Sequence, residues 1–105
     1  MRLYVLINGI APLRVYIWKD GLARFATVPY ESPRPSNLSN LFMHLTNYAV
    51  NKDSPNFIIS ENEDEGSKRS LSSVLEILRE QNGNEAVERM LEQINDIILK
   101  TMCIA

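Results

Sequence analysis

A chain of 105 residues with a formal charge of −2 and 45% hydrophobic residues is long enough for one modest core and excludes two full domains. So small a charge excludes a strong overall field toward nucleic acid or an anionic membrane, and any electrostatic recognition has to be local. The single cysteine excludes an internal disulfide and the single histidine a multi-histidine metal site, while no apolar run approaches the ~20 residues of a membrane span.

Leu3, Val5 and Ile7 alternate with Arg2, Tyr4 and Leu6, the period of a strand, and Asn8-Gly9 followed by Pro12 marks its turn. A second strand places Leu13, Val15 and Ile17 on one face and Arg14, Tyr16 and Trp18 on the other. Asp20-Gly21 is then expected to close a tight hairpin into a third strand over Leu22 to Thr27. From Pro29 to Asn37, proline, serine and polar residues predict a surface loop, followed by a short helix around Leu38 to Met43. Glu61 to Glu65 is an acidic tract that meets Gly66-Ser67-Lys68-Arg69, which predicts a mobile, solvated loop.

Ser73 and Glu76 have capping-box spacing for a helix whose inner face carries Leu71, Val74, Leu75 and Leu78. Asn82-Gly83 separates it from a second helix with a stripe of Val87, Met90, Leu91, Ile94, Ile97, Ile98 and Met102. Cys103, near its end, is expected as a buried, inert thiol in a reducing compartment. The start lacks the basic-then-apolar pattern of a secretory signal, which suits a cytosolic protein. The pattern predicts an α+β fold, antiparallel strands followed by two helices. The first strand begins at residue 2 and the last helix stays apolar to Ile104, so a fragment of a larger fold is expected.

Several polar side chains stand where packing would prefer apolar ones. Arg24 lies on a strand with Leu22 and Ala26 on its face, so its guanidinium either snorkels to water at an edge or meets an anion. Arg2 has the same two options. His44 suits a packed histidine with one backbone hydrogen bond, while Thr46 and Asn47 suit either a local turn or contacts to phosphate oxygens. Tyr48 is either half-buried core or a pocket wall. Lys68 and Arg69 either balance the acidic tract or bind a carboxylate. No glycine-rich phosphate loop, paired-cysteine metal motif or nucleophile signature is present, so hydrolase and dinucleotide functions have no support.

Taken in order, Arg2-Leu3-Tyr4-Val5-Leu6, Gly21-Leu22-Ala23-Arg24-Phe25-Ala26, His44-Leu45-Thr46-Asn47-Tyr48, Asn51-Lys52, Gly66-Ser67-Lys68-Arg69 and Asp96-Ile97-Ile98-Leu99-Lys100-Thr101 resemble the tubulin tyrosine ligase-like family, above all its polyglutamylase branch. The resemblance implies residues 1–105 as the central part of an ATP-grasp domain, truncated at both ends. It implies a ligase that uses ATP to activate a carboxylate as an acyl phosphate and adds glutamate to tubulin tails. By motif, Arg2 and Arg24 would serve the phosphate end and the transition-state charge. His44, Thr46 and Asn47 would bind nucleotide, and Arg24, Tyr48, Ser67, Lys68 and Arg69 would recognise glutamate.

The implied cofactors are ATP and magnesium, the partners tubulin or microtubules, and the location the cytoplasm, the cytoskeleton or a cilium, with no role for nucleic acid or membrane. The lysine and aspartate that the family carries just before Arg2 have no place here, where Met1 alone precedes it. The nucleotide-clamping lobe and the acidic and asparagine residues that hold magnesium are also absent from this stretch. Asp96 lies on the polar face of the last helix and is no substitute. The chain alone is therefore expected to be inactive. A non-catalytic module that binds tubulin tails or nucleotide, a related glycylase or tyrosine ligase, and a ligand-free structural protein are the competing readings.

Overall fold

The computed structural model describes residues 1–62 and 65–104. Two long strands, β1 (Arg2–Ile10) and β2 (Leu13–Arg24), pair antiparallel, and a short β3 (Lys68–Ser70) pairs antiparallel with the far end of β2, giving the order β1-β2-β3. Between β2 and β3 lie two single-turn helices, α1 (Leu41–His44) and α2 (Tyr48–Asn51). The helices α3 (Leu71–Asn82) and α4 (Asn84–Ile104) follow β3. The mixed architecture, an antiparallel sheet with helices, agrees with the expected α+β class.

The third strand is not the expected one. Asp20-Gly21 does not reverse the chain: β2 runs straight through it, and the pairing steps from Leu3 opposite Gly21 to Val5 opposite Ile17, a bulge on the β2 side. The dipeptide bends the strand instead of turning it. Asp20 Oδ1 accepts from the Gly21 amide at 2.7 Å, and the missing side chain of Gly21 lets the Arg2 carbonyl come close, since a Cβ there would lie 2.3 Å from that oxygen.

The same carboxylate ties the bulge to α3. Its Oδ1 accepts from the Ser72 amide at 3.0 Å and its Oδ2 from the Ser72 hydroxyl at 2.8 Å. Ser70 Oγ, the actual N-cap, accepts from Ser73 N at 3.2 Å, so Ser73 lies inside the helix rather than at its cap. The expected capping box begins three residues too late because β3 runs directly into α3 and places Ser70 at the junction. At the other end, Gly83 takes a positive φ of 85° and its amide closes on the Arg79 carbonyl.

Donation from Gly21, and then from Ser72, holds the Asp20 carboxyl below its ordinary value of 3.8. A lowered carboxylate value means that its stabilisation is complete above the unfolded-state pKa and is lost as pH falls through the folded-state one. Asp20→Ala should therefore cost about 1 kcal/mol at neutral pH. The gap to the wild type should close progressively below pH 3.8 in a pH series of thermal melts. A gap that persists unchanged in acid would refute this account.

The expected helix over Leu38 to Met43 is displaced to Leu41–His44, because residues 35–39 form turns in which Asn37 Oδ1 accepts from the Arg34 amide at 2.9 Å. Cys103 is exposed, not buried, as are Thr101 and Ile104 beside it. Ile97, expected in the apolar stripe, is 62% exposed. Glu63 and Asp64, in the expected acidic loop, lie outside the described residues.

Among the described residues the buried apolar side chains are Ala23, Met43, Leu71 and Val87. The accessible surface of 8061 Å² exceeds the roughly 6,000 Å² expected for a compact chain of this mass. The radius of gyration of 16.7 Å likewise exceeds about 13 Å. Tyr4, Leu6, Tyr16 and Trp18 on the long hairpin and Leu99 on α4 remain uncovered. The fold thus has apolar faces beyond what its own elements cover.

Candidate functional site

The chain leaves β2 at Arg24, loops through α1 and α2, and returns at β3, so both arms of the loop flank the end of the sheet. In the β2–β3 ladder Arg24 lies directly opposite Lys68. Like charges at directly opposed positions destabilise a strand pair. Among the described residues, no carboxylate lies within ion-pair distance of Arg24, Lys68 or Arg2. Arg2 sits opposite Leu22, two residues before Arg24, so strand alternation puts Arg2, Arg24 and Lys68 on one face across all three strands. Such a row can receive an anion.

Two cavities that share lining residues lie on this face. The larger, of about 350 Å³, is lined by Arg24, Thr46, Tyr48, Ser67 and Lys68 together with Asn51 and an apolar wall that includes Phe25, Phe57 and Ile58. The smaller, of about 180 Å³, is lined by Met1, Arg2, Leu22, Arg24, Thr46 and Asn47. Arg24 and Thr46 belong to both, so an extended ligand in one meets the same two groups as a ligand in the other.

Each element positions its group for a local reason. Thr46 lies in the extended link between α1 and α2, and Asn47 is the residue before α2. Tyr48 meets Phe57 edge to face, with ring centroids 5.8 Å apart, which stands its ring along the wall of the larger cavity. Ser67 closes the neck of the acidic loop: its Oγ accepts from Ile58 N at 3.2 Å and its amide donates to the Ile58 carbonyl at 3.1 Å. Its own carbonyl accepts from Phe25 N at 2.9 Å, which continues the ladder beyond Arg24.

Two of the residues that the sequence put in the site are placed elsewhere. His44 is not among the residues lining either cavity; its Nε2 meets the Asn37 carbonyl at 3.0 Å, the single backbone hydrogen bond of a packed histidine. Arg69 alternates to the face opposite Lys68, where its guanidinium lies 5.0 Å above the Phe25 ring and its Nε donates to the Gly66 carbonyl at 3.1 Å.

Conversely, sequence reasoning passed over Asn51 as a site residue. It is 1% exposed, and asparagine is a poor helix former, so a buried one in a single helical turn signals side-chain bonds to backbone. Among the described residues no cluster of three His, Cys, Asp or Glu side chains is placed to hold a metal, and no helix is long and apolar enough to cross a membrane. The guanidinium, ammonium and hydroxyl groups lining the two cavities are donors of the kind that bind anionic oxygens.

The sequence profile of the tubulin-tyrosine ligase family matches residues 1–105. Tubulin polyglutamylase TTLL11 of Homo sapiens is 45% identical over 102 residues, covering 97% of this chain and 14% of that protein. Tubulin polyglutamylase TTLL7 of Xenopus tropicalis is 42% identical over 105 residues, 100% of this chain and 11% of that protein. Tubulin polyglutamylase TTLL13 of Homo sapiens is 47% identical over 102 residues, 97% of this chain and 12% of that protein. The chain thus spans 11–14% of the length of these relatives.

Proposed function

Because the chain belongs to the tubulin-tyrosine ligase family, we propose that it forms the central part of the catalytic domain of an ATP-dependent tubulin polyglutamylase. The observation that carries this reading is the row Arg2, Arg24 and Lys68, three cations on one sheet face with no carboxylate partner among the described residues. Two cavities along that row, with Arg24 and Thr46 in both linings, suit a reaction in which a phosphate and a carboxylate meet.

In this reading Arg2 and Arg24 bind phosphate oxygens in the smaller cavity, and Thr46 and Asn47 hydrogen-bond the nucleotide without adding charge. Arg24 and Lys68 hold carboxylates in the larger cavity, with Ser67 and Tyr48 on its wall orienting the amino acid. ATP, when bound, supplies the phosphoryl group that converts a carboxylate into an acyl phosphate, from which an amine displaces phosphate to form the new amide. Arg24, lining both cavities, faces the charge that develops on the transferred group, where a preorganised cation contributes most. Magnesium takes its ligands from outside the described residues, and the chain by itself is inactive. The substrate is a tubulin tail on cytoplasmic or ciliary microtubules, and the added residue is glutamate, in keeping with the polyglutamylases to which the chain is similar.

The test uses the complete gene product that contains this chain, with microtubules and labelled glutamate. Label should enter tubulin tails only when ATP is present, and labelled glycine or tyrosine should not replace it. A folded, complete protein that transfers none of the three would end the ligase reading, and transfer of glycine or tyrosine alone would end the polyglutamylase one.

A further inference from the structure

The Thr46 segment needs an anchor beyond the backbone hydrogen bonds of the short helices that flank it. Each neighbouring helix is a single turn of four residues, too short to hold itself, and neither has a side-chain cap hydrogen bond. Thr46 and Asn47 themselves are exposed. Yet a segment lining both cavities has to keep a fixed distance from Arg24 if the two are to act on one ligand.

One side chain makes that link. Asn51, 1% exposed, donates through Nδ2 to the Leu45 carbonyl at 2.7 Å and the Asn47 carbonyl at 3.1 Å, the carbonyls of the residues on either side of Thr46. Its Oδ1 accepts from the Thr27 amide at 3.1 Å and the Thr27 hydroxyl at 2.9 Å, three residues beyond Arg24. Both donors and both acceptor sites of the amide are used, so the group is locked in one orientation. No other residue type of this size offers two donors and two acceptors in one plane.

We propose that Asn51 is a positioning residue, setting Thr46 and Asn47 against Arg24 so that the strap between α1 and α2 is preorganised for the nucleotide. This rests on the reading of Thr46 as a nucleotide contact. The two halves of the amide can be separated by mutation. Asn51→Asp keeps the acceptor toward Thr27 and turns an oxygen toward the Leu45 and Asn47 carbonyls, releasing the strap. Thr27→Val removes one hydrogen bond on the opposite side and leaves the strap bonds in place.

The experiment compares both variants in the complete gene product. Asn51→Asp should raise KM for ATP about tenfold or more. Thr27→Val, at a comparable loss of Tm, should leave that KM near the wild-type value. In a Thr46→Ala background the Asn51→Asp effect should shrink to about twofold or less, the mark of one group acting through another. Equal KM effects from Asn51→Asp and Thr27→Val, or full multiplication of the Asn51→Asp and Thr46→Ala effects, would overturn the proposal.

Amide exchange on the same proteins keeps the two readings apart. Asn51→Asp should speed exchange across residues 45–48 more than Thr27→Val does, and equal acceleration overturns the positioning role whatever the kinetics. A Thr46→Ala enzyme with an unchanged KM for ATP would instead sink the nucleotide role of Thr46 while the exchange result stands. Should Asn51→Asp fail to fold, Asn51→Ser, which replaces both amide N–H donors by one shorter hydroxyl without adding a charge, takes its place in each comparison.

Discussion

Arg24→Ala in the complete gene product should lower kcat/KM for ATP-dependent glutamate transfer by about 10²–10³-fold, the loss typical of removing one preorganised group from a developing negative charge. The expectation follows from Arg24 lining both cavities, so that its loss is felt at the phosphate and at the carboxylate alike. Arg24→Lys should recover only part of the activity, because an ammonium is a point charge and cannot make the paired bonds of a guanidinium fork. Lys68→Ala should act chiefly on KM for glutamate. Arg69→Ala, facing the other way over Phe25, should change that KM less than Lys68→Ala does and act through stability instead. Steady-state kinetics with microtubules measures all four. Arg24→Ala activity within threefold of the wild type would remove Arg24 from the chemistry.

Gly21→Ala should be damaging, because of all the glycines Gly21 leaves least room for an added carbon. The added carbon would lie 2.3 Å from the Arg2 carbonyl oxygen and 3.3 Å from a Leu71 methyl, so strand backbone rather than a flexible side chain has to yield. Overpacking of this kind costs about 1–3 kcal/mol and occasionally more, and the upper end is expected here because β1 cannot move off without losing its pairing at Leu3 and Arg2. Loss of Tm in the complete gene product is the primary readout. Since the clash displaces Arg2, activity of the surviving folded fraction should fall too, by less than in Arg24→Ala. An unchanged Tm would show that the bulge relaxes freely.

The contrast between those variants shows where sequence reasoning succeeds and where it stops. Alternating apolar residues from Arg2 and again from Leu13 mark two strands, and the helical stripes beyond Leu71 mark two helices, because local periodicity reports which faces are shielded from water. Asp20-Gly21 carries a genuine turn signal, yet the structure uses it for a bulge. The dipeptide's conformational freedom is local, whereas the choice between reversing and bending depends on whether Arg2 and Ser72 arrive beside it. In the same way Ser73 and Glu76 have capping-box spacing, but the strand that ends at Ser70 decides where α3 begins.

The candidate site divides along the same line. Arg2, Arg24, Thr46, Asn47, Tyr48, Ser67 and Lys68 were legible as polar residues in a recurring order, and the cavities bring them together. His44 and Arg69 have equal claims by motif. They part from the others because a side chain's direction depends on its neighbours, the Asn37 carbonyl for one and the Phe25 ring for the other.

By itself, then, the sequence determined the α+β class, the family resemblance and the residue types available to hold an anion, all properties carried by local order and composition. Only the tertiary structure decided that β3 is Lys68–Ser70, that Lys68 therefore faces Arg24, and that Asn51 bridges the Thr46 strap to Thr27. Thr27 with Asn51 and Arg24 with Lys68 are pairs 24 or more positions apart in the sequence. Such contacts form where mutual burial and hydrogen bonding outweigh loop closure, a balance set by the whole chain and by no single segment of it.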